Sequence, residues 1–171
     1  MAILTAAEAL KWALEIEKNG EAFYNEVAAK SADPEVKALF EDLAAQERGH
    51  YQVFQQMLER VKPEPDLSTP STLLRTSVDY DEYQTYLQVA LAEALFAGPD
   101  KGLTLAKQAQ DRETALRAAM GFEKDTLLFF YDLREMVSEA ERGAISNIIV
   151  EEKAHLRRLA KMQSPEPVEG L

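Results

Sequence analysis

The stretches Glu47-Arg48-Gly49-His50 and Glu152-Lys153-Ala154-His155 share one local pattern, a glutamate three residues before a histidine. They contain both histidines of the 171-residue chain. In an α-helix, residues i and i+3 share a face, so each pair directs a carboxylate and an imidazole to the same side. Two such helices that face each other supply half of the ligands for two metal ions, and two further glutamates would complete the set.

Around these stretches, apolar residues recur every three or four positions along four long segments, which predicts four packed helices. The predicted helices span residues 5–31, 34–61, 112–137 and 139–162, with Asp33 and Asp111 as N-caps and Pro34 as a first helical residue. A long crossover begins with the polar segment 63–70 and contains helical pieces at 79–96 and 102–110. We expect one domain over residues 1–163 and a disordered tail over 164–171.

Ionisable residues interrupt the apolar face of each main helix near its middle. They are Glu17 in the first helix, Glu47 and His50 in the second, Glu123 in the third, and Glu152 and His155 in the fourth. A lone carboxylate buried there would cost several kcal/mol or take up a proton. Six such groups at one level therefore indicate bound cations. The alternatives are that the Glu-x-x-His pairs occur by chance on exposed faces, and that Glu17 and Glu123 lie at the surface.

The chain also contains an internal repeat. Residues 13–18 resemble residues 119–124, and His50 and His155 are separated by nearly the same number of residues as Glu17 and Glu123. This predicts two duplicated helical hairpins, each of which supplies one glutamate and one Glu-x-x-His pair.

Composition excludes several function classes. A net charge of −11 disfavours binding to nucleic acid or to an anionic membrane surface. The absence of cysteine excludes disulfides, zinc ribbons and iron–sulfur centres held by this chain. The first residues carry no basic region, and no apolar run is long enough to cross a bilayer. We therefore expect a cytoplasmic protein for which a membrane location is disfavoured.

The segment Glu17-x6-Tyr24, the pair Glu47-x2-His50 and their second-half counterparts resemble the rubrerythrin-like branch of the ferritin-like superfamily. The resemblance covers most of residues 5–162 and implies an all-α, ferritin-like four-helix bundle with a non-haem di-iron centre. It implies the following roles: Glu17 and Glu123 as terminal carboxylates, Glu47 and Glu152 as bridging carboxylates, and His50 and His155 as one nitrogen ligand for each metal. Tyr24 is either a hydrogen-bond donor to a ligand carboxylate or a core aromatic residue, and Phe130 replaces it in the second half.

Two features depart from the family pattern. Full-length rubrerythrins carry a cysteine-ligated rubredoxin iron, which this chain cannot hold because it has no cysteine. Many members also carry an additional glutamate three residues after the third-helix ligand, where this chain has Thr126, and Gly20 fills the matching place in the first half. Glu21 is a candidate for a partial substitute, although its spacing places it at the edge of the inward face.

The preferred interpretation is a rubrerythrin-like oxidoreductase that reduces hydrogen peroxide, or dioxygen, to water. Carboxylate and imidazole ligands suit iron, with manganese or a mixed iron/zinc pair as alternatives. Electrons would come from an external protein such as a rubredoxin. Three other functions stay open: a ferroxidase that handles iron, a di-iron hydroxylase of a quinone precursor, and a redox-inactive metal-binding module. We expect a homodimer.

Overall fold

Helices form all the regular structure in the part of the chain described by the computed structural model, which comprises residues 5–61, 100–109 and 111–164. The helices are α1 (Ala6–Lys30), α2 (Pro34–Arg60), α3 (Lys101–Gln108), α4 (Arg112–Met136) and α5 (Glu139–Gln163). The predicted all-α class and the four long helices are confirmed. The predicted piece at 102–110 corresponds to α3. The polar segment 63–70, the predicted helix at 79–96 and tail residues 165–171 lie outside the described residues.

Side-chain caps fix where three of the long helices begin. The Thr5 hydroxyl accepts a hydrogen bond from the Glu8 amide, and the Glu8 carboxylate accepts one from the Thr5 amide, which completes a capping box. Asp33 accepts from the amides of Glu35 and Val36 at 2.9 and 3.3 Å. Asp111 accepts from the Thr114 amide at 2.8 Å. The amides at the start of a helix have no partner within the helix, so these contacts favour the observed first residues.

The long helices form two hairpins. α1 packs along α2, and α4 packs along α5. The connections at residues 31–33 and 137–138 are so short that each pair must run antiparallel. The hairpins then pack on each other through α1 with α4 and α2 with α5. This agrees with the duplication predicted from the sequence and brings the middles of all four long helices together.

The short helix α3 lies against α1 at unusually close range. The Gly102 amide donates a 3.2 Å hydrogen bond to the side-chain oxygen of Asn19. A Cβ atom at position 102 would stand 2.8 Å from the Asn19 carbonyl carbon, a separation that side chains do not tolerate. Glycine is therefore required where the end of the crossover meets the bundle.

The predicted inward faces of the four long helices are buried, except that Met162 is half-buried. Aromatic rings fill much of the core, and the Tyr24 ring stands 5.4 Å from that of Phe40 and 5.9 Å from that of Phe122. None of the described helices is both apolar enough and long enough to cross a lipid bilayer.

Candidate metal centre

The six ionisable side chains predicted from the sequence converge at the middle of the bundle. Glu17 comes from α1, Glu47 and His50 from α2, Glu123 from α4, and Glu152 and His155 from α5. His50 is 3% exposed and the other five are 0% exposed. The helical phase predicted for Glu17 and Glu123 is therefore correct, and neither lies at the surface. The two imidazole rings are nearly parallel, with centroids 5.8 Å apart.

The six side chains form two overlapping groups of potential ligands. One group is Glu17, Glu47, His50 and Glu152, and the other is Glu47, Glu123, Glu152 and His155. Within each group, one oxygen or nitrogen atom per residue lies within 4.8 Å of the others. Glu47 and Glu152 belong to both groups, whereas Glu17 and Glu123 each belong to one. This is the distribution expected of two shared and two terminal carboxylates.

Glu152 reaches both histidines with its two oxygens. Its Oε1 atom lies 2.9 Å from Nδ1 of His50, and its Oε2 atom lies 3.0 Å from Nδ1 of His155. The other shared carboxylate, Glu47, lies 3.3 Å from Nδ1 of His155. Glu152 therefore contacts the histidine of each ligand group.

The outer nitrogen of each imidazole is already occupied. Nε2 of His50 lies 2.8 Å from a carboxylate oxygen of Glu151, and Nε2 of His155 lies 2.9 Å from the amide oxygen of Gln46. Both partners are oxygen acceptors, so each Nε2 must carry a proton and donate it. In a neutral imidazole, the lone pair is then on Nδ1, which faces the carboxylates. Both rings are therefore oriented to bind a cation through Nδ1.

The inner atoms of the cluster lack hydrogen-bond partners. The atoms concerned are both carboxylate oxygens of Glu17, Glu47 and Glu152, one oxygen of Glu123, and Nδ1 of both histidines. Some of them approach one another closely, as above, but without the geometry of a hydrogen bond. Buried polar atoms are normally satisfied, so this concentration of unsatisfied ligand atoms fits a site that is built for metal ions.

Charge leads to the same conclusion. Burial raises the pKa values of Glu17, Glu47 and Glu123 well above those of ordinary glutamates, and the neighbouring carboxylates raise them further. Burial lowers the pKa of His50, but the adjacent Glu152 carboxylate outweighs burial, and the pKa rises to about 9. Without cations the cluster therefore retains protons. Two divalent cations would balance the four carboxylates beside neutral imidazoles.

Tyr24 combines its two predicted roles, because its ring packs in the core and its hydroxyl touches the cluster. Its hydroxyl donates a hydrogen bond to Oε1 of Glu123. Burial, followed by the negative charge of Glu123, raises the pKa of Tyr24 well above that of an exposed tyrosine. The phenol therefore keeps its proton and acts as a donor to the Glu123 carboxylate.

The comparisons with known proteins agree with this geometry. The sequence profile of the rubrerythrin family matches residues 8–163. This chain belongs to the rubrerythrin family. The fold is similar to the crystal structure of a candidate ferritin-like diiron-carboxylate protein from Thermotoga maritima, with 24% identity and a TM-score of 0.65. That similarity covers 95% of this chain and 97% of the other. No curated protein matches the chain.

One departure from the rubrerythrin pattern, Gly20, has a visible structural reason. A Cβ atom on Gly20 would stand 2.7 Å from the Phe122 ring, so Phe122 occupies the space that a side chain at position 20 would need. Thr126 is buried, and its hydroxyl has no hydrogen-bond partner. The Glu21 carboxylate pairs with Arg48 at 2.6 Å, so it faces that guanidinium. The structure therefore does not bring Glu21 into either ligand group.

Sequence reasoning missed Gln46 and Glu151, the partners of the histidines. Each is the residue immediately before a shared glutamate, and each lies four residues before a histidine. They occupy matching places in the two halves of the repeat. An alignment of the two halves of the repeat that included the residue before each Glu-x-x-His pair would have identified Gln46 and Glu151 as counterparts.

Proposed function

We propose that this member of the rubrerythrin family holds two iron ions between the six side chains and reduces hydrogen peroxide to water with electrons from an external protein. The observation that carries the proposal is the pair of overlapping ligand groups that share Glu47 and Glu152. Two groups that share two carboxylates suit a pair of adjacent ions better than a single ion, because each ion then obtains three carboxylates and one imidazole.

The ligand chemistry favours iron among the available metals. The donors are carboxylate oxygens and imidazole nitrogens, which suit iron or manganese better than the softer metals. Zinc in structural sites takes four ligands in a closed tetrahedron, usually with thiolates, and this chain has no cysteine. Membership of the rubrerythrin family supports the same choice. Manganese and a mixed iron/zinc pair stay as alternatives for the metal.

When bound, a pair of ferrous ions supplies the two electrons that, with two protons, convert one peroxide molecule into two water molecules. The chain's own residues prepare the site for that reaction. Glu17 would hold one ion of the pair and Glu123 the other, and the Tyr24 hydroxyl fixes the orientation of Glu123. Complete burial of the carboxylates keeps bulk water away and strengthens every electrostatic interaction within the cluster.

Re-reduction requires a partner, because the chain has no cysteine for a rubredoxin-type iron. An external electron-transfer protein such as a rubredoxin fits this requirement. The homodimer and the cytoplasmic location are likewise predictions, which sedimentation and cell fractionation would test. The hydroxylase alternative predicts an exposed apolar patch that leads to the site, and the segment that would supply it, residues 79–96, lies outside the described residues.

Stopped-flow oxidation tests the proposed reaction. Protein loaded anaerobically with two equivalents of Fe²⁺ is mixed with hydrogen peroxide or with dioxygen at equal concentration, and the absorbance of the oxidised centre is followed. We expect the reaction with peroxide to be faster. A faster reaction with dioxygen would favour the ferroxidase alternative, and protein that binds metal without reacting with either oxidant would favour the redox-inactive module.

A pair of variants tests the ligand assignment. Glu152→Ala removes the carboxylate that reaches both histidines, so it should abolish binding of the metal pair while circular dichroism shows a folded bundle. Glu21→Ala removes a carboxylate from the same region that pairs with Arg48, and it should leave two metals per chain. Unchanged metal content in Glu152→Ala would contradict the shared role of Glu152.

A further inference from the structure

The two ligand groups are chemically alike but have different surroundings. Each contains three glutamates and one histidine. Any difference in affinity between the two metal positions must therefore come from the residues that contact these ligands. Two such contacts break the symmetry of the repeat, one at the histidines and one at the terminal glutamates.

The first asymmetry is the partner of each imidazole. His50 donates from Nε2 to the carboxylate of Glu151, whereas His155 donates to the uncharged amide of Gln46. The Gln46 amide in turn donates to Asp42 at 2.7 Å, and Asp42 pairs with Arg158 at 2.7 Å. The charge behind Gln46 is thus neutralised. A carboxylate that accepts the Nε2 proton increases the basicity of Nδ1 more than a neutral amide does.

The second asymmetry is the hydroxyl on one terminal carboxylate. Tyr24 donates to Oε1 of Glu123, whereas Phe130, its counterpart in the second half, has no hydroxyl to donate. Both oxygens of Glu17 are without a hydrogen-bond partner. A carboxylate oxygen that accepts a hydrogen bond has less negative charge available for a cation. Glu123 therefore offers a cation only one oxygen without a hydrogen-bond partner, whereas Glu17 offers two.

Both asymmetries favour the same position. We propose that Glu151 and Tyr24 are positioning residues that make the metal position beside Glu17 and His50 bind divalent cations more tightly than the position beside Glu123 and His155. The inference rests on the proposed function, because it requires two metal positions. The site therefore fills in a defined order. The Glu151 side chain is 53% exposed, so solvent screening keeps its effect near the lower end of the range for such contacts, about tenfold.

Cobalt provides the test, since Co²⁺ alone binds without the redox chemistry of iron. Crystals of the full chain that contain one equivalent of Co²⁺ are measured at the cobalt absorption edge, and the anomalous peaks give the occupancy of each position. In solution, titration with Co²⁺ gives two dissociation constants. In the wild-type protein we expect dissociation constants that differ by about tenfold, which at one equivalent of Co²⁺ gives about threefold higher occupancy beside His50.

Two variants separate the two causes. Glu151→Gln replaces the carboxylate by an amide, as at Gln46, and should reduce the preference by about tenfold through weaker binding beside His50. Tyr24→Phe copies Phe130 and should reduce the preference through stronger binding beside His155. Glu59→Gln, an exposed position on α2, makes the same change in net charge as Glu151→Gln and should leave the preference unchanged.

The outcomes separate this inference from the proposed function. Equal occupancy of the two positions in the wild-type protein, or an unchanged preference in both Glu151→Gln and Tyr24→Phe, would overturn the inference while the metal pair still stands. Wild-type protein that binds no Co²⁺ between the six side chains would instead overturn the proposed function. The readouts are occupancy and affinity, so neither result depends on catalytic activity.

Discussion

Glu17→Met should make the metal-free protein more stable and the metal-loaded protein less stable. Glu17 is fully buried on α1, and neither of its carboxylate oxygens has a hydrogen-bond partner. Methionine has a similar length, is unbranched and suits helices, so it can occupy the same space without the buried polar atoms. The substitution thus removes an unfavourable group from the metal-free state and a terminal ligand from the loaded state.

The size of the effect follows from the burial. Leaving a buried polar group unsatisfied costs about 1–3 kcal/mol, so Glu17→Met should increase the free energy of unfolding of the metal-free protein by about that amount. For a domain of this size, the melting temperature should rise by about 2–12 °C. Metal at a free concentration one hundred times its dissociation constant stabilises a binding protein by about 2.7 kcal/mol. The variant should lose most of this gain.

Thermal and urea unfolding of wild type and variant, each with chelator and with Co²⁺, measure both effects. Glu21→Met is the matched control, since it makes the same chemical change one turn along α1 at a carboxylate that pairs with Arg48. It should retain the stabilisation by metal and should not stabilise the metal-free protein. A Glu17→Met protein that is less stable without metal, yet is still stabilised by Co²⁺, would refute the reasoning.

Three further predictions concern packing, protons and helix caps. Gly20→Ala gains about 1 kcal/mol of helix propensity, but its new Cβ atom meets the Phe122 ring at 2.7 Å, which costs about 1–3 kcal/mol. The Cβ atom of Gly143→Ala meets nothing within 4 Å, so this control variant should gain the helix propensity without that cost. Urea unfolding that ranks Gly20→Ala as the more stable of the two variants would contradict this prediction. Metal binding should release protons, because buried glutamates with raised pKa values hold protons in the metal-free cluster. Calorimetric titration with Co²⁺ in buffers of different ionisation enthalpy measures this release, and buffer-independent heats would exclude it. Burial raises the pKa of Asp33, but its contacts with the α2 amides and with the Arg112 guanidinium together outweigh burial and lower the pKa. The stabilisation by these contacts is therefore complete above the ordinary aspartate pKa and is lost as pH falls through the lowered value. The difference in unfolding free energy between wild type and Asp33→Asn should therefore shrink between pH 6 and pH 3, and a constant difference would contradict this origin.

Much of the fold and most of the cluster could be predicted from local sequence. The spacing of apolar residues by three or four positions predicted the helices, and N-caps such as Asp33 and Asp111 predicted their first residues to within about one position. The same period placed Glu17 and Glu123 on the inward faces, because helical geometry determines the direction of a side chain once the apolar face is known. The repeat and the Glu-x-x-His pairs then indicated that these faces meet.

Contacts between helices could not be predicted in this way. The requirement for glycine at position 102 comes from the distance between α3 and α1, which no local pattern encodes. Whether Tyr24 adds a hydrogen bond to its packing in the core depended on whether its hydroxyl reaches Glu123 on another helix. Glu21 was a potential extra ligand until the structure placed its carboxylate against Arg48.

The sequence by itself thus determined which side chains are buried and at what level of the bundle, because both properties depend on the helical period and on the burial of apolar surface. Only the tertiary structure decided which atoms meet. The crossed contacts of His50 with Glu151 and of His155 with Gln46 join different hairpins. Their existence depends on helix separations and side-chain rotamers, and these are set by the packing of the whole core.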